Sequence, residues 1–233
     1  MAVTPQTNEA FLREVDEELR RDQMARMGRR YGLMIGGAIV LGLAIFGGIL
    51  LWQNQQRQVA GEQGEQFALV FDKLGSGDEK ATTKPLADLA GSDLPGYRAM
   101  AQFTQADLLL QKNDLKGAAK KFAVIAGDSR VGQPLRDLAL VRQTSAEFDT
   151  LAPQVVVDRL KALAVANGPW LGSAGEMVAV AYLRMGKNAQ AGALFGQIAR
   201  DPRAPESLRR RAVQMAGTLG VDAIDQSEEK KPQ

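Results

Sequence analysis

The chain has 233 residues, of which 29 are basic and 27 are acidic, and it contains neither cysteine nor histidine. This balance lacks the excess positive charge of nucleic-acid-binding proteins, so we expect no nucleic-acid partner. The two missing residue types exclude disulfides, thiol nucleophiles, Ser–His and Cys–His dyads and the commonest zinc ligands.

The first 30 residues contain an amphipathic pattern. Apolar residues recur at helical spacing within residues 8–27, with acidic residues early and arginines late, as the helix dipole favours. This spacing predicts a helix in the N-terminal segment, residues 1–30. It acts either as a solvated topological signal or as a docking helix for a membrane complex.

Residues 31–52, YGLMIGGAIVLGLAIFGGILLW, form an uninterrupted stretch without charge. A helix of this length rises roughly 33 Å, enough to cross a hydrocarbon core about 30 Å thick. Small residues recur at small-xxx-small spacing within it, which indicates either lateral helix packing or composition alone. The segment predicts a transmembrane helix.

The residues that flank this segment predict its orientation. Six arginines precede it, among them Arg26, Arg29 and Arg30, whereas only Arg57 follows within about 20 residues. Lysine and arginine resist translocation, so the N-terminus is expected in the cytoplasm and the C-terminal domain on the opposite side of the membrane. A cleaved signal peptide is the alternative, but its apolar core is shorter, about 7–15 residues, and the candidate cleavage site at residues 58–60 is poor.

The residues after the membrane segment predict helices only. A polar stretch at 53–63 leads into a helix at 62–74, which ends at a Gly-Ser-Gly-Asp breaker, and Thr83 is a candidate cap for a short helix that ends at Ala90. Three hairpins follow, at 95–111 with 115–126, at 134–148 with 153–166, and at 170–185 with 188–199. A last helix is predicted at 205–219.

No stretch alternates apolar and polar residues as a strand does, so the predicted fold is all-α. The external helical domain is expected to cover residues 53–225, and the tail at 226–233 is expected to be disordered.

Two of the hairpins share a packing motif. Ala118-xxx-Phe122 and Ala191-xxx-Phe195 lie 73 residues apart, close to two tetratricopeptide periods of about 34 residues each. Ala106 lies 12 positions before the first motif, and Ala179 lies 12 positions before the second. Tyr182 follows Ala179 by three residues. Alanine admits the ring of the partner helix, which is the physical reason for this spacing. The middle hairpin lacks the motif. The pattern predicts a short tetratricopeptide-like stack, with an irregular helical bundle as the alternative.

Several segments together resemble the YfgM-like ancillary subunits of the bacterial Sec translocon. They are EVDEELRRDQ, RRYG before the apolar stretch, LLLQKNDLKGAAKKF, NGPWLGSAGEMVAVAYLRMGK and IARDPRAPESLRRRA. The resemblance implies a single-pass inner-membrane protein with a periplasmic repeat domain. It further implies association with the SecYEG translocon and with a membrane-anchored, prolyl-isomerase-like periplasmic chaperone, assistance to exported polypeptides, and neither catalysis nor a cofactor.

A stack of helical hairpins binds partners through the face built from the first helix of each pair. By repeat register, the predicted partner groove contains Phe103, Asp107, Leu110, Glu176, Val180 and Leu183. Each of these residues has a structural alternative as part of the core.

Three functional interpretations follow from the sequence. The first is a membrane-tethered interaction module in protein export, and the second is an envelope scaffold or signalling regulator that uses the same repeats on another complex. The third, a tethered hydrolase, lacks a visible nucleophile and base, a Gly-rich phosphate loop and an acidic metal-binding cluster. We therefore expect no enzyme activity, no metal and no small-molecule substrate.

Overall fold

A computed structural model describes residues 6–223, with side chains from residue 30 onwards. The described residues form helices and no strand, so the all-α prediction is confirmed. The helices are α1 Gln6–Gly75, α2 Glu79–Ala90, α3 Pro95–Gln111, α4 Leu115–Gly127, α5 Gln133–Glu147, α6 Pro153–Leu160, α7 Leu171–Arg184, α8 Asn188–Ala199 and α9 Glu206–Thr218. The predicted tail at 226–233 lies outside the described residues.

The chain divides into two compact units, residues 1–62 and residues 63–233. In the first unit, α1 includes the helix predicted at 8–27, whose amphipathic face lies outside the described side chains. The part of α1 from Arg30 to Gly75 is long and apolar enough to cross a membrane, and none of its most apolar window is buried. Membrane spans, signal sequences and buried core helices all meet this test of length and composition.

The second unit begins with a hairpin between the C-terminal part of α1 and α2. The cap predicted at Thr83 is wrong, because α2 starts earlier and the carboxylate of Asp78 accepts a hydrogen bond from the Ala81 N–H at 3.2 Å. Aspartate is a strong N-cap residue, so Asp78 sets the start. Pro85 consequently lies inside the helix instead of in its first turn.

The helix predicted at 153–166 is the second boundary that differs, since α6 ends at Leu160. After Leu160 the chain continues in turns, where the backbone N–H groups of Leu163 and Ala164 both bond to the Leu160 carbonyl at 2.9 Å. Asn167, after the predicted end, has a positive φ of 60°. The loop is held from another repeat, because the Arg203 guanidinium donates to the Asn167 carbonyl at 2.7 Å. Helix α3 has the bounds predicted, as does α8, and the bounds of α4, α5, α7 and α9 agree within one residue.

The hairpin turns repeat in conformation as well as in sequence position. Asn113 follows α3 with φ 59°, and Gly186 follows α7 with φ 71°, 73 residues later. In both turns the next backbone N–H bonds to a carbonyl five residues earlier, at 2.8 Å for Asp114 and 2.9 Å for Lys187. This left-handed residue after a helix is the Schellman arrangement, and it starts the second helix of each hairpin in the same direction.

The middle hairpin has no such turn. Instead, the Arg184 guanidinium at the end of α7 donates to the Phe148 carbonyl at 3.1 Å and to the Leu151 carbonyl at 3.3 Å. A charged donor thus satisfies the carbonyl of the C-cap residue of α5 and one carbonyl in the loop that follows. The turn of this degenerate repeat is therefore held by an arginine of the repeat that follows it.

Alanine and phenylalanine positions of the predicted repeat lie in two cores. Ala106, Ala118 and Phe122 are buried with α3 and α4, and Ala179, Ala191 and Phe195 are buried in the C-terminal core. Tyr182 is only half-buried at the edge of that second core. The middle repeat contributes Val156 and Leu160, both fully buried, where the small and large residues of the motif are missing.

Candidate partner-binding site

A cavity of about 370 Å³ opens where the first helices of three successive hairpins meet. We call it the first-helix cavity. Its lining is mostly apolar and comes from α1, α3 and α5, namely Phe71, Leu74, Met100, Phe103, Thr104, Asp107, Leu108, Gln111, Leu135, Leu138 and Arg142. Phe71 and Met100 are about half exposed, at 52% and 44%. Large apolar side chains are therefore open to solvent in a recess of side-chain size.

The charged groups of the first-helix cavity satisfy each other. Both terminal nitrogens of Arg142 donate to the Asp107 carboxylate, and the guanidinium also lies 4.8 Å from the centre of the Phe122 ring. The Thr104 hydroxyl donates to the Met100 carbonyl of its own helix at 3.0 Å. The wall thus presents no uncompensated charge, and an apolar segment can enter without leaving an ion unpaired.

The structure brings together part of the predicted groove. Phe103 and Asp107 both line the first-helix cavity, whereas Leu110 packs against the neighbouring core. Val180 and Leu183 pack, half-buried, against the C-terminal core. Glu176 accepts two hydrogen bonds from Arg211, at 2.6 and 2.9 Å. None of these last three residues lines the first-helix cavity.

Sequence reasoning missed most of the first-helix cavity, including Arg142. A usable signal was present, because an acidic residue on one first helix pairs with an arginine 35 residues later in two places. Asp107 pairs with Arg142, and Glu176 pairs with Arg211. An ion pair at about one repeat length joins neighbouring first helices, and it would have placed α5 beside α3.

A second charged cluster repeats at the loops that end the hairpins. Arg98 donates to Asp128 at 2.7 and 3.1 Å, and Arg130 donates to the same carboxylate from its backbone N–H and its side chain. Asp201 and Arg203 form the same local arrangement 73 residues later. The side chain of Arg98 is 8% exposed and also donates to the Ser92 carbonyl. This cluster ties α3 to the end of α4.

These hydrogen bonds hold carboxylates in their charged form. The Arg98 guanidinium, followed by the backbone and side chain of Arg130, lowers the pKa of Asp128 from 3.8 to about 2. The side chain of Arg203 lowers the pKa of Asp201 in the same way. Hydrogen bonds to the charged form are the main cause in both cases.

We expect acid to weaken the fold through Asp128. Its folded-state pKa lies below the unfolded value, so its contribution is present above about pH 4 and is lost as the pH falls towards 2. Urea unfolding measured from pH 5 to pH 2 should show a smaller loss of stability in Asp128→Asn than in the unchanged chain. Equal slopes for the two proteins would contradict this assignment.

The arginines that predict topology lie in the first unit. Arg30 is exposed, and its guanidinium lies 5.8 Å from the centre of the Tyr31 ring. Arg26 and Arg29 are within α1, but their side chains lie outside the described residues. Their role in orientation stays a prediction.

Comparisons with known proteins point to one class of repeat. The family model described as a tetratricopeptide repeat-like domain matches residues 28–217. No curated protein and no solved structure matches the chain. Repeats of this class are typically interaction modules and not enzymes.

Proposed function

The chain belongs to the family of tetratricopeptide repeat-like domains, and from this premise we propose that it is a membrane-tethered interaction protein. The first-helix cavity is the observation that carries the proposal. It exposes Phe71 and Met100 beside a closed Asp107–Arg142 pair, which suits the apolar side chains of a protein segment.

We further propose that the partner belongs to protein export. The resemblance to YfgM-like subunits supports SecYEG and a prolyl-isomerase-like chaperone as partners, with exported polypeptides as clients. In this proposal residues 1–30 lie in the cytoplasm, residues 31–52 cross the inner membrane and residues 53–225 lie in the periplasm. Tethering raises the effective concentration of the domain for partners in the same membrane, so a modest affinity at the first-helix cavity is sufficient.

Site-specific photocrosslinking tests the proposal. A photoreactive residue at Met100 lies in the first-helix cavity, whereas one at Val124, which is 57% exposed on α4, lies outside it. We expect the Met100 probe to capture translocon subunits, the chaperone or exported chains, and the Val124 probe to capture little. Reproducible capture of a different envelope complex at Met100 would favour the scaffold or regulator instead. Equal capture at the two positions would contradict a role for the first-helix cavity.

Cysteine labelling tests the proposed orientation, because the natural chain has no cysteine. A single cysteine at Ser227, in the C-terminal tail, should react with a membrane-impermeant maleimide in intact spheroplasts. A single cysteine at Thr4 should react only after lysis. The opposite pattern would overturn the proposed orientation, and a mature product that lacks its first 60 residues would overturn the anchor.

A further inference from the structure

A second recess lies on the first hairpin, and none of its lining residues lines the first-helix cavity. We call it the α1–α2 face, since α1 and α2 supply all of its lining residues, Gln66, Leu69, Val70, Lys73, Ala81, Pro85 and Asp88. Its volume is about 370 Å³, and the lining residue Leu69 is 59% exposed. The recess lies over the hairpin core, because Val70 lines it and is itself buried with Phe67, Leu86 and Leu89; this core packs with Ala101 of α3.

The other end of the repeat stack is covered, which makes the open α1–α2 face unusual within this unit. Helix α9 packs on α8, and Val221 after it fills the space over two glycines of α8. A Cβ atom added at Gly192 would lie 2.9 Å from Val221, and one added at Gly196 would lie 3.2 Å from it. Repeat stacks normally end in polar caps. The first hairpin instead ends with Leu69 and Ala81 exposed and Pro85 partly exposed.

The charges on the α1–α2 face are divided between its two helices. Lys73 on α1 has no ion-pair partner among the described residues. Asp88 on α2 has only a long contact of 3.9 Å to Lys84, and both of these side chains are strongly exposed. A free cation thus lies on one rim, and a weakly paired carboxylate lies on the other.

Helix α2 adds a second acceptor through its internal proline. Pro85 has no backbone N–H, so it cannot donate the usual helical hydrogen bond to the carbonyl of Ala81 four residues earlier. Ala81 is exposed and lines the same recess. Among the residues that line the α1–α2 face, the cationic side chain is therefore on α1, and the carboxylate, together with a backbone carbonyl that lacks its usual helical donor, is on α2.

We propose that the α1–α2 face binds a second copy of this chain. In a two-fold symmetric contact, residue i of one copy meets residue j of the other, and j meets i. With α1 of one copy placed against α2 of its partner, Lys73 meets Asp88 twice, and each Leu69 side chain is buried against α2 of the other copy. The division of charge on this face is complementary to itself, which is the reason to choose a second copy over an unrelated protein. This inference is independent of the proposed function.

Charge reversal in the full chain, purified in mild detergent, tests the proposal by sedimentation velocity. We expect the unchanged chain to form dimers, and Lys73→Glu or Asp88→Lys to weaken dimerisation on the order of ten-fold, since two symmetric pairs become repulsive. The double variant with both changes should recover dimerisation, because the pair is restored in the opposite sense. Leu69→Glu should abolish dimers.

Lys116→Glu is the matched control, since Lys116 is exposed on α4 and lies outside the α1–α2 face. It makes the same charge change and should leave the dimer unaffected. A monomeric unchanged chain would overturn the proposal, and so would dimers that persist in Leu69→Glu, which would place the contact elsewhere, such as in the apolar segment at 31–52. Failure of the double variant to recover would likewise overturn the pairing. If a photoreactive residue at Leu69 captured only another protein, the α1–α2 face would belong to a different partner.

Discussion

Replacement of Phe122 by alanine is expected to lower the free energy of unfolding of the repeat domain by about 3–5 kcal/mol. Phe122 is fully buried, its ring lies 5.8 Å from that of Phe103, and the Arg142 guanidinium lies 4.8 Å from its centre. The substitution leaves a cavity at the contact between α3, α4 and α5. It also removes the ring beneath one side of the Asp107–Arg142 pair.

Val124→Ala is the matched control, because Val124 lies on the same helix but is 57% exposed. Urea unfolding followed by circular dichroism should show a change within about 0.5 kcal/mol for the control. If Phe122→Ala lowered the free energy of unfolding by less than about 1 kcal/mol, the α3–α4 and α5–α6 hairpins would not pack through this ring.

Replacement of Arg98 by methionine is expected to cost about 2–3 kcal/mol, the second largest effect. Methionine retains much of the apolar stem, so the loss reports the hydrogen bonds to Asp128 and to the Ser92 carbonyl. The Arg98 side chain is 8% exposed and that of Asp128 is 18% exposed. Removal of the guanidinium therefore leaves a carboxylate in a poorly solvated position.

Arg130→Met tests whether the loss comes from the buried position of Arg98 or only from removal of a positive charge beside Asp128. Arg130 binds the same carboxylate, but its side chain is 65% exposed, so the expected loss is at most about 1 kcal/mol. The two variants are compared by urea unfolding at neutral pH. Equal losses would show that burial of Arg98 does not matter for the strength of this contact.

Local signals in the sequence predicted the helices well. Prolines at helix starts and turns at residues 112–114 and 186–187 were read from the sequence, with Asn113 and Asp114 as alternative caps of α4. The structure shows Asp114 as the cap and Asn113 and Gly186 with positive φ. Such signals act over one turn of helix, so they are visible without tertiary structure. Of the two wrong boundaries, the start of α2 was decided by a competing cap, Asp78, and the end of α6 by turns in which Leu163 and Ala164 both donate to the Leu160 carbonyl.

The first-helix cavity was harder to predict because it depends on which helices become neighbours. Phe103 and Asp107 were placed on the partner face from repeat register, and both line the first-helix cavity. Phe71, Leu135 and Arg142 join them only because α1 and α5 pack on either side of α3. The degenerate middle repeat hid this arrangement, since it lacks the alanine and phenylalanine pattern that marks the register elsewhere.

The direct measurement of the proposed function is co-purification of translocon subunits with the full chain in mild detergent, with Met100→Glu compared against Val124→Glu. Met100→Glu places a charge in the apolar first-helix cavity, and Val124→Glu places the same charge outside it. We predict that Met100→Glu loses these partners on the order of ten-fold while its circular dichroism stays unchanged, and that Val124→Glu retains them. Equal recovery of the partners with the two variants would contradict the first-helix cavity as the binding site.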